Sequence, residues 1–455
     1  MTSNIRNLDH TTEMDLTANI PPIFLKAALY VEKILLQKGF EVYLVGGSVR
    51  DLLLNKKISD LDFTTNAHPD EVKKVFPRTI PVGEQFGTIL VMFHHIPIEL
   101  TTYRSEGVYK DGRRPESVTF GKSLYEDVIR RDFTINGLAY QISSKLLIDY
   151  VGGRKDLKAG IIRTIGDPEE RFQEDGLRPI RGCRIMANLG FNLEIDTEKA
   201  MSKTLDIISK IAPERFYDEW RKTLKIRQKH QYWNILKKTG IFQLFFGEFQ
   251  GLLNNETRWN NLLFCIEHSM PRNMAIYTAH FFYQEMCQED RYEILDKEAL
   301  RSVLKDFYKR NRFPAKIQKQ CTGLLTSPIL GVLDASQGSA LNILSLKKAL
   351  SKIAFNDWFL HLRFIKEILY RHYINKPDEL VNIMNQIIHT IRKYRKKQFA
   401  LYLSELKIDG DDISRMGVHG VKIGQLLQQS LDFVIQYPDK NNPADLKNFM
   451  RHHLE

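Results

Sequence analysis

Two aspartates one residue apart, Asp60 and Asp62, stand in the alternating run Ile58-Ser59-Asp60-Leu61-Asp62-Phe63. On a strand, residues at i and i+2 share a face, so both carboxylates would point one way while Leu61 and Phe63 point into a core. Paired carboxylates at that spacing can hold one or two Mg²⁺ ions, hard cations that take oxygen ligands. Such pairs are also common on solvated surface, so the surroundings must decide. Upstream lies Leu44-Val45-Gly46-Gly47-Ser48-Val49-Arg50-Asp51, a strand end, two glycines and a helix start. Gly46 and Gly47 would let a phosphate approach the backbone, where the first N–H groups of a helix have no partner. Arg50 can add a charge-assisted bond to the same anion. Read blandly, this is a tight strand-to-helix turn with a surface arginine. Glu99, facing away from Ile98 and Leu100 on another expected strand, could complete a metal site if that strand lies beside the first.

Those residues need a sheet to hold them. Residues 1–20 are polar and read as a flexible or loosely attached N-terminus. Pro21-Pro22 then open an amphipathic helix carrying Leu25, Ala28, Leu29, Ile34 and Leu35, which ends at Gly39. Short β-rich runs follow at 42–45, 58–64, 88–93 and 96–103, with a short helix at 69–76 between them. Beyond about residue 160 helical periodicity takes over, as at 214–224, 342–353, 358–368 and 380–391. The expected fold is α+β: a small N-terminal head with a β-sheet, then an elongated all-helical neck, body and tail. The boundaries expected are 21–158 for the head, 159–225 for the neck, 226–340 for the body and 341–455 for the tail. No internal repeat or low-complexity tract interrupts this plan, and 438–443 reads as a loop.

The composition narrows the function classes. With 455 residues, 43% hydrophobic and 27% charged, the chain is an ordinary globular protein of several domains. No apolar run reaches the ~18 residues of a membrane span, and the acidic start with Asp9, Glu13 and Asp15 is neither a secretion signal nor a transit peptide. Lys and Arg total 66 against 55 Asp and Glu, a net charge of +11, which favours a polyanion such as nucleic acid. Cys183, Cys265, Cys287 and Cys321 are too scattered for a zinc site or a disulfide framework, so a reducing cytoplasm is expected.

The segment Gly46–Asp51 with Asp60-Leu61-Asp62 resembles the first motif of the class II tRNA nucleotidyltransferase and bacterial poly(A) polymerase superfamily. Further blocks follow in that superfamily's order. Arg130-Arg131-Asp132-Phe133-Thr134-Ile135-Asn136-Gly137 is similar to its R-R-D-F-T-I-N-A block, and Asp149–Leu157 to its third motif. Glu174-Asp175-Gly176-Leu177-Arg178 matches its E-D-x-x-R nucleotide-reading motif, and Pro213–Lys222 resembles its fifth. The resemblance spans residues 40–225 and implies roles at these positions. Asp60 and Asp62 would hold catalytic Mg²⁺, with Glu99 as a candidate third ligand. Gly46, Gly47 and Arg50 would meet the triphosphate, and Arg131 and Asp132 the nucleotide, with Asn136 nearby. Asp175 and Arg178 would bond the base edge, so that protein rather than a template selects CTP and ATP; Arg181 and Arg184 extend that row and would grip phosphate. Positions i and i+3 share a helix face, which suits Asp175 and Arg178 to a joint role. Pro179 and the flanking Gly176 and Gly182 depart from a regular helix, so the helix is expected to start late or bend.

Within that superfamily, Val82–Thr88 looks like the tRNA-repairing branch rather than the arginine-rich segment of poly(A) polymerases. The full-length loop from Thr102 to Pro115 implies the ability to add a terminal A. Addition of CCA to tRNA 3′ ends is therefore the first reading; an enzyme adding only A would keep the same loop, and a poly(A) polymerase stays open. No His-Asp dipeptide occurs, so no phosphohydrolase activity is expected. The partners implied are tRNA, CTP and ATP, with no membrane and no stable protein partner. Candidate tRNA phosphate contacts are Lys222, Lys225, Arg227 and Lys229, then Lys305, Lys309, Arg310 and Arg312, then Arg392, Lys393, Arg395, Lys396 and Lys397, with Tyr394 and Phe399 stacking on bases. Near the end, 406–424 resembles the superfamily's tail segment, with His419 where a proline is usual. Two other classes compete: an RNA-binding protein with a dead transferase head, which would have lost Asp60 or Asp62, and a transferase of small molecules, which would need no basic helical body.

Overall fold

The computed structural model describes residues 10–82, 84–104, 120, 121, 123–226, 228–268, 273–288, 291–337 and 339–454. The chain divides into two compact units, Met1–Gly247 and Glu248–Glu455.

The first unit opens with β1 (Thr11–Glu13), α1 (Pro22–Gln37), β2 (Val42–Val45), α2 (Gly47–Leu53), β3 (Asp62–Thr65), α3 (Pro69–Val75) and β4 (Thr79–Pro81). It continues with β5 (Thr88–Phe93), β6 (Ile96–Thr102), α4 (Leu124–Ile129), β7 (Leu138–Gln141), β8 (Leu146–Asp149) and α5 (Gly153–Ala159). The strands form one eight-stranded sheet in the order β1-β8-β7-β2-β3-β6-β5-β4. Every pair is antiparallel except β3 with β6, which is parallel and sets Asp62 opposite Glu99.

Period-two alternation gives the sheet two apolar faces. Leu44 and Leu138 enter a core with Ala27, Val31 and Leu35 of α1, while Val45 and Ala139, one residue on, pack with Leu124 and Val128 of α4. Residues 10–20 correct the expectation of a loose N-terminus. Thr11–Glu13 pair with Ile148–Leu146, Leu16 and Ile20 are buried, and the Tyr140 hydroxyl accepts the Leu16 N–H at 3.2 Å. The run 58–64 is strand only from Asp62, and the sheet edges β1 and β4, with the β7–β8 hairpin, were not read from the sequence.

Beyond the sheet the first unit is nearly all helix: α6 (Pro168–Glu174) and α7 (Leu177–Leu189), then Ile195–Lys203, Pro213–Thr223 and Lys229–Lys238. The exceptions are Ile161–Ile162 and Asn192–Leu193, a two-residue parallel pair. Fully buried Phe216, Trp220, Trp233, Phe242 and Phe246 knit its helices together, with edge-on ring contacts such as Trp220 to Trp233 at 5.7 Å.

The second unit is helical among its described residues, and its helices Pro377–Arg395 and Trp358–His372 extend the expected spans. Segment 438–443 is a short 3₁₀ turn at Pro438–Lys440 leading into a helix that begins at Pro443. Phe399 corrects an expectation: it is buried, with the Lys347 ammonium 4.3 Å from its ring centroid, so it offers no face to a base. Tyr394 likewise packs on Trp358 and Tyr402 and donates its hydroxyl to Glu405 at 2.6 Å. An apolar cluster closes over both rings because each gains more from burial than from exposure. No helix is long and apolar enough to cross a membrane among the described residues.

Candidate active site

The sheet brings the carboxylates to one place. Asp62 opens β3 and sits in register with Glu99 on parallel β6, while Leu61 and Phe63 are buried as the alternation predicts. Asp60 lies ahead of the strand and is exposed; the Ser48 hydroxyl on α2 donates to its Oδ1 at 3.3 Å and ties it back. The Asp62 carboxyl is pushed up to about 7, first by burial and then by the negative charges of Asp60 and Glu99, with Arg131 opposing. Two like charges beside a half-buried acid cannot all be held without a counter-charge. Among the described residues no three His, Cys, Asp or Glu side chains gather closely enough to hold a metal ion. Glu99 stands in register with Asp62 on the neighbouring strand, and its charge is felt at the Asp62 carboxyl.

The glycine turn sits against two guanidinium groups. Gly46 has φ +70°, a conformation that favours glycine, and a Cβ built there would lie 3.6 Å from Arg131 Nη1. A Cβ on Gly47 would lie 3.4 Å from Arg50 Nη2. Arg50 itself is buried and engaged: Nε donates to Asp51 at 2.9 Å and Nη1 to the Asn136 side-chain oxygen at 2.9 Å. Asn136 passes the connection on, donating to Asp132 Oδ1 at 3.1 Å. Arg181 closes the chain, its Nε and Nη2 both donating to Asp132 Oδ2, at 3.0 and 2.8 Å. Burial alone would raise the Asp132 carboxyl, but Arg181 and Asn136 outweigh it and hold it below the ordinary range. Side chains from α2, the Arg130–Gly137 block and α7 thus form one polar chain.

Helix α7 starts at Leu177, so Pro179 falls in its first turn, where a missing N–H costs nothing. The helix thus starts late, after the extended Asp175, as the proline predicts, and Arg181 and Arg184 stay on it. Gly182 has a packing reason: a Cβ there would meet the Phe133 ring at 2.8 Å. That close approach of Phe133 to α7 is what brings Asp132 opposite Arg181.

The pairing of Asp175 with Arg178 on one helix face is corrected. Asp175 is extended, between α6 and α7, and its Oδ1 accepts the Leu177 N–H at 3.0 Å. This side-chain-to-backbone bond competes with helix and ends α6. Asp175 Oδ2 takes the Arg215 guanidinium at 2.8 Å. Arg178 is buried, with Nη1 on Glu174 and on the Arg171 carbonyl at 2.9 Å, and Nη2 on the Arg130 carbonyl at 3.0 Å. Arg184 pairs with buried Glu219 at 2.5 Å, and Lys222 joins the same carboxylate at 2.7 Å.

One residue the sequence reading passed over organises much of this. Asp127, fully buried on α4, accepts Arg131 Nη2 at 2.7 Å, the Thr64 hydroxyl at 3.2 Å and Arg130 Nη2. Its signal was present: Asp127 and Arg131 are an i, i+4 pair of opposite charge. Segment 105–115 of the loop singled out for terminal A addition, together with Gly83 and Arg227, lies outside the described residues; the side chain of Gln85 is likewise not described.

Residues 42–163 match the poly A polymerase head domain, and 190–252 match the probable RNA and SrmB-binding site of polymerase A. The CCA-adding enzyme of Ligilactobacillus salivarius is 48% identical over 206 residues, 45% of this chain and 50% of that protein. The CCA-adding enzyme of Leuconostoc mesenteroides is 38% identical over 288 residues, 63% of this chain and 70% of that protein. The chain thus spans about half the length of several curated relatives it matches. The crystal structure of the Bacillus stearothermophilus CCA-adding enzyme in complex with CTP superposes with a TM-score of 0.73 at 27% identity, covering 95% of this chain and 99% of that one.

Proposed function

We propose that this chain, which belongs to the family of CCA-adding enzymes, adds C, C and A in order to the 3′ end of tRNA from CTP and ATP, without a nucleic-acid template. The observation that carries the reading is the set of side chains around the Gly46-Gly47 turn: carboxylates on one side, and on the other the polar chain from Arg50 through Asn136 and Asp132 to Arg181. The bond formed is between the RNA 3′ oxygen and the α-phosphorus of the nucleotide; the bond broken is to the departing pyrophosphate, and the hydroxyl proton is released.

The chain's own residues bind and orient. Gly46 and Gly47 leave the backbone open to the triphosphate, with Arg50 and Arg131 flanking it. Asp132, held ionised by Arg181, fixes that arginine toward the nucleotide, and Arg184 extends the row. Asp175 and Arg178 would read the base edge by exchanging their present partners, Arg215 and the Arg130 carbonyl, for the base. A base with the wrong pattern would leave those polar groups unpaired, which is what rejects it. Membership of the family implies a divalent metal, and the donors fit one: Asp60 and Asp62 are hard oxygen ligands, and the raised Asp62 carboxyl would be relieved by a cation. When bound there, Mg²⁺ would neutralise phosphate charge and sharpen the attacking hydroxyl.

The division into head, neck, body and tail belongs to this proposal, with tRNA gripped by exposed lysines and arginines such as Lys305, Lys309, Arg392 and Lys396. We place the protein in the cytoplasm, where its four free, buried cysteines would stay reduced.

An extension assay tests the reading. Primers are tRNA ending at the discriminator base, the same with C, the same with CC, and an unstructured RNA, each with CTP, ATP or both. Ordered addition of C, C and A followed by a stop is expected, and none from the Asp60→Ala, Asp62→Ala double variant. A single A on the CC-ended primer alone would make the enzyme A-adding. Long A tails on unstructured RNA would make it a poly(A) polymerase. No incorporation with RNA binding intact would overturn the catalytic claim.

A further inference from the structure

The second unit contains a cleft that shares no residue with the candidate active site. It opens between the helices Glu256–His268, Met274–Met286 and Trp358–His372 and has a volume of about 360 Å³. That is within the range of small-ligand sites, roughly 300–1,000 Å³. Its lining is unusual in charge. Arg258, Arg291, Arg371 and His372 line it, with Asn261 beside them and the buried thiol of Cys287 on its wall, and among the described residues no aspartate or glutamate lines it.

The convergence is not an ion-pair network seen from one side. Among the described residues neither Arg291 nor Arg371 forms a salt bridge. An acid close by, Asp334, whose charge reaches Cys287, is already committed: its two oxygens accept the N–H groups of Tyr292 at 2.6 Å and Glu293 at 3.0 Å. Arg258 is fixed in place rather than mobile, its Nη1 donating to the carbonyls of Gln284 at 3.4 Å and of Glu285 at the end of its helix. Three guanidinium groups lining one cleft offer an entering anion several positive partners. Guanidinium forks match tetrahedral oxyanions bidentately, better than an ammonium would.

We propose that this cleft binds a phosphate group, through Arg258, Arg291 and Arg371. Two sources share that chemistry: the backbone of an RNA, and a free phosphate compound such as pyrophosphate or a nucleotide. The inference does not rest on the proposed transfer reaction, because the cleft lies wholly within the second unit and shares no residue with the candidate active site.

Phenylglyoxal footprinting of the full chain, read by peptide mass spectrometry, tests it arginine by arginine. Probes are sodium pyrophosphate and a single-stranded RNA, each against sodium chloride of equal ionic strength, with exposed Arg301 as the internal reference. With a probe about tenfold above its dissociation constant, modification of Arg291 and Arg371 should slow about tenfold by mass action, while Arg301 is unchanged. Protection by pyrophosphate identifies a free phosphate ligand, and protection by RNA alone identifies the backbone. In Arg371→Gln the protection of Arg291 should fall, because the two act on one anion. No protection by either probe, or equal slowing by chloride, would overturn the proposal, as would undiminished protection of Arg291 in the variant.

Discussion

Asp127 shows how much a single buried charge can organise. Burial would raise its carboxyl, yet Arg131 and Arg130 outweigh that and hold it at about 2. The group thus contributes stability that is present above the ordinary aspartate range and is lost as pH falls through about 2. Asp127→Asn keeps the shape and removes the charge, leaving two partly buried guanidinium groups without their counter-ion. We expect a loss of about 3 kcal/mol in denaturant-midpoint measurements, the usual cost of breaking such a pair from one side. Because Arg131 also flanks the Gly46 turn, the Michaelis constant for the nucleotide should rise with it. Unchanged stability and an unchanged constant would show that the arginines hold their places unaided.

Among the elements, the contact of α7 with the block after α4 matters most. Phe133 is fully buried and its ring passes 2.8 Å from where a Gly182 side chain would begin. Gly182→Ala forces either the ring or the helix to move, and overpacking of this kind costs about 1–3 kcal/mol. The helix carries Arg178, Arg181 and Arg184, so its shift would also disturb the Arg181 fork on Asp132. The expected outcome is a lowered melting temperature together with weaker nucleotide binding, read by thermal unfolding with and without CTP. If stability fell but the CTP-induced increment stayed the same, the helix would have moved without disturbing the site. The same logic explains Pro179, which fits because the Asp175-Gly176 junction ends α6 and lets α7 begin two residues ahead of it.

At the scale of the whole molecule, each unit keeps its own polar interior. All the candidate site residues lie within Met1–Gly247, while the second unit buries an ion pair of its own. His280, fully buried, meets Glu367 at 2.7 Å, and Glu367 also takes Arg363 at 3.3 Å. Burial opposes a charged imidazole, but Cys265 and Glu367 together outweigh it and raise the group from 6.5 to about 9. A raised folded value means the stabilisation is fully present below about 6.5 and disappears as pH rises through about 9. A shift of this size corresponds to about 3 kcal/mol. The melting temperature of the full chain should therefore fall between those limits, and His280→Gln should flatten that fall. An equal pH response in the variant would assign it to other groups.

The order of Gly46-Gly47, Asp60-Asp62, Arg130–Gly137 and Glu174–Arg178 along the chain was enough to indicate the chemistry, because each block is local and its residue types are what phosphate and carboxylate chemistry require. The strands β2, β5 and β6 and the helices α1 and α3 were legible for the same reason: their apolar periods are short-range signals. The loose N-terminus was misread because β1 is polar and gains its place only by pairing with β8, a partner more than a hundred residues away. Likewise, nothing local says that Glu99 stands in register with Asp62, that Asp127 reaches Thr64, or that Asp175 pairs with Arg215. Those facts depend on which strands lie side by side and where a helix stops. The arginine cleft of the second unit belongs with them, since its guanidinium groups come from segments up to 113 positions apart, Arg258 to Arg371, and only tertiary packing draws like charges onto one cavity.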